Sequence, residues 1–302
     1  MKKLRFITSL VTSDNDYQRE QAEAAQAAAR RVGADLQILD AANDAVNQSQ
    51  QLLKIIQGSA SERPDAIICL PVGTGLAQVA HAAVTAGIGW AIINREVDYL
   101  GQLRMNSQVP SFCVTVDQEE VGRIESRQFR AILPGGGLVL YIAGPAGSFG
   151  SERRIDGMKS TKPANVDLRQ IRGRWTEESG YKAVQAWLRL STSLPTPISL
   201  VCGQNDSMAL GACRAFEHEV QTARQDWAKI PFIGCDACGA AGKDRVRQGI
   251  LAASIELPAT AGIAIDTFAR FYLRSEFPAE RTLLMPVPFP PVESLAGLRT
   301  KV

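Results

Sequence analysis

The sequence predicts an α/β protein built from two Rossmann-like lobes, each around a parallel sheet. Three observations predict it. Short apolar runs alternate with longer helical patterns almost from end to end, as stacked βαβ units require. A polar stretch at residues 99–110 interrupts the alternation, which then begins again. The 302 residues, 45% hydrophobic and 21% charged, are enough chain for two medium domains.

The elements follow in order. Residues 4–11 read as a strand and residues 16–32 as an Ala-rich helix, with Gly33 where a helix takes its C-terminal glycine. Strands over 35–40, 66–70 and 89–94 alternate with helices over 45–58 and 75–86, and residues 112–116 return to strand character after the polar stretch. The second half repeats the rhythm. Strands over 137–143, 167–172, 198–202 and 231–234 alternate with helices over 121–133, from 153 onward, over 179–190 and over 206–218.

In open parallel sheets a ligand sits at the carboxyl ends of the strands, and polar residues gather at those ends. Asp14, Asn15 and Tyr17 follow the first strand, Asn94 and Arg95 the fourth, Asn205 and Asp206 follow Leu200-Val201-Cys202, and Asp236 follows Phe232-Ile233-Gly234. One such residue is explained by loop exposure or helix capping. Their recurrence after successive strands points to a shared site.

Composition narrows the function classes. A formal charge of +2, from 33 Lys and Arg against 31 Asp and Glu, gives no global field toward nucleic acid or an anionic membrane. No apolar run approaches the ~20 residues that span a bilayer. Two lysines open the chain, but no apolar signal core follows before the polar run at 12–16. The expected compartment is therefore the cytoplasm if Met1 is the native start, and the periplasm if a leader was removed. The first strand begins too near Met1 to leave space for a helix-turn-helix, so a stand-alone DNA-binding regulator is not expected.

The chemistry-bearing residues favour binding over catalysis. No GxSxG elbow, GxxxxGK[ST] loop or HExxH segment occurs, and His81 and His218 are isolated in helical segments. Gly73-Thr74-Gly75 and Gly135-Gly136-Gly137 read as turns. Cys69 and Cys202 lie in apolar runs as small hydrophobes. Cys235-Asp236-Ala237-Cys238 has a CxxC spacing, yet Gly239-Ala240-Ala241-Gly242 follows where a redox motif would open a helix, so neither metal, redox use nor any cofactor is expected. All six cysteines are expected as free thiols.

One segment carries a family likeness. Gln204-Asn205-Asp206-Ser207-Met208-Ala209-Leu210-Gly211-Ala212 resembles the QND-x-MALGA segment of type I periplasmic sugar-binding proteins of the ribose-binding kind, whose fold is also the effector domain of lactose-repressor-type regulators. The likeness runs over nearly the whole chain. It implies that Asn205 meets a sugar hydroxyl, that Asn15 and Tyr17 occupy an NNPFF-like turn with Tyr17 stacking on the ring, and that Trp175 is a second stacking aromatic. Asn94-Arg95 is similar to the family's Asp-Arg pair, the amide replacing the acid. Arg154 resembles the arginine of RxxGF, Asp236 the aspartate of a GFD-like strand end, and Glu256 stands where a glutamine is usual. A sugar has an apolar C–H face and a rim of hydroxyls, so flat aromatic surfaces with fixed donors and acceptors suit it.

The resemblance also implies a three-strand hinge. The first lobe would hold 1–116 and 257–285 and the second 117–256 and 286–302. The expected activity is capture of a small neutral sugar or polyol by a monomer that does no chemistry, serving an ABC transporter permease or a membrane sensor. Neutrality is expected because Arg95 and Arg154 would be balanced by Asp236 and Glu256 in one cleft.

Overall fold

The computed structural model describes residues 3–105, 107–190, 197–219 and 229–297. Residues 298–302, assigned above to the second lobe, and residue 106 of the polar stretch lie outside the described residues. The chain divides into two compact units: Met1–Val116 with Pro258–Leu284, and Asp117–Leu257 with Met285–Val302.

The first unit contains β1 (Arg5–Leu10), α1 (Asp16–Val32), β2 (Asp35–Asp40), α2 (Ala45–Ile56), β3 (Ala66–Cys69), α3 (Ala77–Thr85), β4 (Gly89–Ile93), α4 (Leu100–Met105) and β5 (Ser111–Val116). The numbering below continues in chain order, so its last two elements are α10 (Thr260–Arg274) and β11 (Arg281–Leu284). Six parallel strands stand in the order β11-β5-β4-β3-β1-β2. β3, β4 and β5 are buried at every residue, as strands covered on both faces must be. Edge strand β2 alternates between half-buried and exposed. Phe268 of α10 packs its ring 4.7 Å from Phe112 and 6.1 Å from Phe6. Asn15 starts α1 by accepting from the Gln18 amide at 2.9 Å, and Gly33, with φ of 70°, ends it.

The second unit contains α5 (Gln118–Ile132), β6 (Gly137–Ala143), α6 (Phe149–Thr161), β7 (Val166–Arg172), α7 (Glu177–Leu188), β8 (Ile198–Gly203), α8 (Asp206–Glu219), β9 (Phe232–Ile233), α9 (Gly239–Arg247), β10 (Ser254–Glu256) and β12 (Val287–Phe289). β7-β6-β8-β9 form a parallel sheet, β10 pairs antiparallel with β12, and single bridges join Ile233 to Ala253 and Asp236 to Glu256. α5 and α6 cross backbone to backbone: a Cβ on Gly122 would lie 2.0 Å from the Arg154 carbonyl oxygen, and one on Gly157 2.0 Å from that of Glu119. Glycine at both positions lets α6 seat Arg154 against α5.

Two expectations are corrected. The polar stretch contains α4, because Leu100 and Leu103 are spaced to bury one face of a short helix. Gly239 to Gly242 also open a helix, α9, with Cys238 at its N-cap, so the glycines do not prevent helix formation after the CxxC spacing. The cysteines are nonetheless poor nucleophiles, since burial holds the Cys235 thiol well above its usual range and Cys238 is buried too. All six are free.

Candidate ligand-binding site

In the second unit the loops after β6, β7, β8 and β9 bring four of the expected residues together. α6 carries Arg154, only 5% exposed, whose Nε donates to Gln118 Oε1 at 2.8 Å and whose Nη1 donates to the Gln204 carbonyl. The guanidinium carbon lies 5.7 Å from the Trp175 ring centroid, within cation–π range. Trp175 follows β7 with φ of 67°, a conformation costly for a bulky residue, just before the Thr176 cap of α7. Its ring covers Gly144 so closely that a Cβ there would come within 2.1 Å of it. Asn205 donates from Nδ2 to the Trp175 carbonyl and accepts at Oδ1 from the Met208 amide, each at 2.9 Å.

Asp236 closes the set at the end of β9, also with positive φ (107°). Burial works against the charge of Arg154, but the acidic groups around it, Asp236 and Glu125 among them, outweigh it and move its pKa up. Asp206 ties the loops: its carboxylate accepts from the Ser254 hydroxyl at 2.6 Å and from the Ala237 amide at 3.0 Å. Glu256 is paired with α9. Its Oε1 accepts from Lys243 Nζ at 2.7 Å, so the balancing of Arg154 by Glu256 is corrected: the glutamate is already neutralised by a lysine of α9.

The first unit places its expected residues at the carboxyl ends of β1 and β4. Asn94 has φ of 62°, a left-handed conformation that asparagine tolerates well, and its amide donates to the Val114 carbonyl at 2.8 Å. Arg95 turns back so that Nη1 donates to the Gly73 carbonyl at 2.8 Å, tying β4 to the loop after β3. Partial burial lowers its pKa, opposed by Tyr99, Cys69 and Asp98. Within the first unit its neighbours are thus the Gly73 carbonyl and Asp98. Tyr17 is buried in the first turn of α1. A groove of about 560 Å³ beside β2 and α2, lined in part by Arg5, Asp35, Gln51 and Lys54, contains none of the expected residues.

Sequence reasoning missed the polar core beneath this site. Gln204 Oε1 accepts from the Gly144 amide at 2.7 Å and the Ser151 hydroxyl at 2.8 Å, while its Nε2 donates to Tyr141 Oη at 2.8 Å and the Ser151 carbonyl at 3.0 Å. Tyr141 in turn donates to Glu125 Oε2 at 2.7 Å. Glu125 is fully buried, and burial pushes its carboxyl up to about 7, against the lowering effect of the Tyr141 hydrogen bond and the Arg154 charge. One signal was available: Glu125 falls on the stripe of Val121, Gly122, Gln128, Phe129 and Ile132 that α5 buries.

Comparison with known proteins places this architecture. Residues 6–261 match the model of the periplasmic binding protein domain, and the chain belongs to that family. A Rhizobium meliloti protein named for rhizopine binding is 28% identical over 211 residues, 68% of this chain and 63% of that protein, so the match spans less than two thirds of the relative's length. Among solved structures, a periplasmic solute-binding protein of an ABC transporter from Actinobacillus succinogenes, with bound D-allose, has a TM-score of 0.80 at 21% identity, covering 95% of this chain and 97% of its own. The periplasmic component of an arabinose ABC transporter from Shewanella, bound to L-arabinofuranose, has a TM-score of 0.80 at 24% identity, covering 97% and 93%. A Bacillus halodurans ABC transporter solute-binding protein with bound myo-inositol has a TM-score of 0.78 at 21% identity, covering 98% of both chains. These likenesses establish the fold as that of type I periplasmic binding proteins.

Proposed function

We propose that this protein is a solute receptor that takes up a small neutral sugar or polyol between its two units and performs no chemistry on it. The observation that carries the reading is Trp175, held at positive φ with one face on Gly144 and a buried guanidinium beside it. Such strain persists where the surroundings enforce it and collects at ligand clamps. An aromatic ring with Arg154, Asn205 and Asp236 around it offers a stacking face and a polar rim. The D-allose, arabinofuranose and myo-inositol bound by the three structural relatives are ligands of that kind.

In this reading Asn15, Tyr17, Asn94 and Arg95 supply the first unit's contacts and Arg154, Trp175, Asn205, Asp236 and Glu256 the second's. The lobes 1–116 with 257–285 and 117–256 with 286–302 close as bodies about the three chain crossings, driven by contacts that only the closed form makes. The monomer would act in the periplasm and deliver its ligand to an ABC transporter, or to a membrane sensor. A thermal-shift screen of pentoses, hexoses and polyols tests it: a ligand at 100 times its dissociation constant adds about 2.7 kcal/mol of stability. Recovery of the ligand unchanged excludes an enzyme. No shift with any of them overturns the proposal.

A further inference from the structure

Glu125 is a costly group to place on the buried face of α5. Tyr141 holds Oε2, but Oε1 is buried with no hydrogen-bond partner among the described residues. The groups facing it come from four elements: Tyr141 of β6, Cys202 of β8, Arg154 of α6 and Cys235 at the end of β9. Burial raises the phenol and both thiols well above their usual ranges, so they stay neutral. The charges that count are Glu125 and Arg154, together with Asp236 and the already hydrogen-bonded Asp206. A proton on Glu125 therefore changes how much of the Arg154 charge is compensated from behind.

Resting on the reading of Arg154 as a ligand contact, we propose that Glu125 determines the ligand charge this site accepts. As a carboxylate it offsets the Arg154 guanidinium, so that less positive charge is left for an anionic ligand. As a carboxylic acid it leaves the guanidinium's charge for the ligand. The structure makes Glu125 a specificity-determining residue one layer behind the contact surface, reached through Tyr141 and Gln204. Burial sets its titration at about 7, so discrimination against anions strengthens through the neutral range.

The test titrates D-allose against D-allonate, and L-arabinose against L-arabinonate, by calorimetry at about pH 6 and about pH 8, either side of that titration. The preference for sugar over aldonate should grow about ten-fold or more with pH, as expected for one charge acting over several ångströms at an effective dielectric near 20. In Glu125→Gln the preference should be independent of pH. Tyr141→Phe removes the bond that favours the carboxylate and should move the transition to higher pH, a second handle if Glu125→Gln folds poorly. A flat preference in the native protein, or the same slope in Glu125→Gln, overturns the inference. Carboxyl carbon NMR, with Glu125 assigned by its loss in Glu125→Gln, needs no ligand: titration in the ordinary carboxylate range also overturns it. Neutral titration with no binding of any probe overturns the ligand reading instead.

Discussion

The two units have the same layered architecture but treat buried polarity differently. Among the described residues the first unit buries only neutral polar side chains, such as Ser9, Gln21, Gln48 and Thr115, whereas Glu125, Arg154, Asp206 and Asp236 are all buried in the second. Each unit also uses a buried glutamine at its strand ends. Gln48 donates to Ser9 Oγ and the Leu70 carbonyl and accepts from the Val72 amide, binding β1 to the loop after β3. Gln204 does the same for β6 and α6 and adds Arg154 at its carbonyl. One hub completes a loop; the other anchors a charge. Desolvating a charge is expensive unless partners are fixed in advance, so the second unit is the preorganised side of the proposed site.

The largest expected difference is between the two arginines. Arg154→Ala strips a buried guanidinium from Gln118, the Gln204 carbonyl and Asp236, and should cost about 3–5 kcal/mol of stability with loss of ligand binding. Arg95→Ala loses one hydrogen bond to the Gly73 carbonyl at a half-exposed position, and about 1 kcal/mol should suffice. Chemical denaturation of both variants measures the contrast, and equal costs would break it.

The glutamines come next. Gln204→Leu and Gln48→Leu should each cost about 1–3 kcal/mol for donors and acceptors left unpaired. Only Gln204→Leu should weaken binding as well, because only that hub holds a proposed contact residue.

A smaller effect is visible in pH dependence. Glu125 has a pKa raised from 4.5 to about 7, so the folded state binds its proton more tightly than the unfolded chain does. Its contribution to stability is full below the unfolded value and is lost as pH rises through about 7, by at most about 1.4 kcal/mol per pH unit. Glu125→Gln should remove that fall. Denaturation midpoints from mildly acidic to mildly basic pH would show it, and an unchanged slope in the variant would place the titrating group elsewhere.

Much of this architecture was legible because its signals are local. Apolar runs such as Ala66–Cys69 and Gly89–Ile93 and the capping residues Asn15 and Gly33 mark elements through their own neighbourhoods. Asn205 and Asp236 were legible through the carboxyl-end rule and a family likeness, and Arg154 and Trp175 through the likeness alone. What was not legible depends on partners far apart in sequence. Pairing of Glu256 with Lys243 rather than Arg154 is set by how α9 folds back on β10. The chain from Glu125 through Tyr141 to Gln204 joins residues 16 and 63 positions apart. Helix α4 was missed because six residues give little periodicity to read.

The smallest expected effect on stability is also the one that best separates packing from binding. Trp175 is half-buried, packed on Gly144, and strained at φ of 67°. A tryptophan retained only for packing would lose stability on truncation, and relief of its backbone strain would be incidental. A tryptophan retained to stack on a ligand should behave otherwise. Trp175→Ala keeps the positive φ and loses the ring, whereas Trp175→Gly loses both ring and strain, since glycine occupies that conformation without a Cβ penalty. The glycine variant should therefore unfold about 1 kcal/mol later than the alanine variant. Both should bind the ligand about ten-fold or more weakly, equivalent to about 1.4 kcal/mol. Gly144→Ala, whose Cβ would sit 2.1 Å from the ring, should lower affinity in the same direction by displacing the indole without removing it. Titrations of all three variants beside their denaturation curves decide the matter: unchanged affinity in the two Trp175 variants, with stability lost in both, would assign the residue to packing.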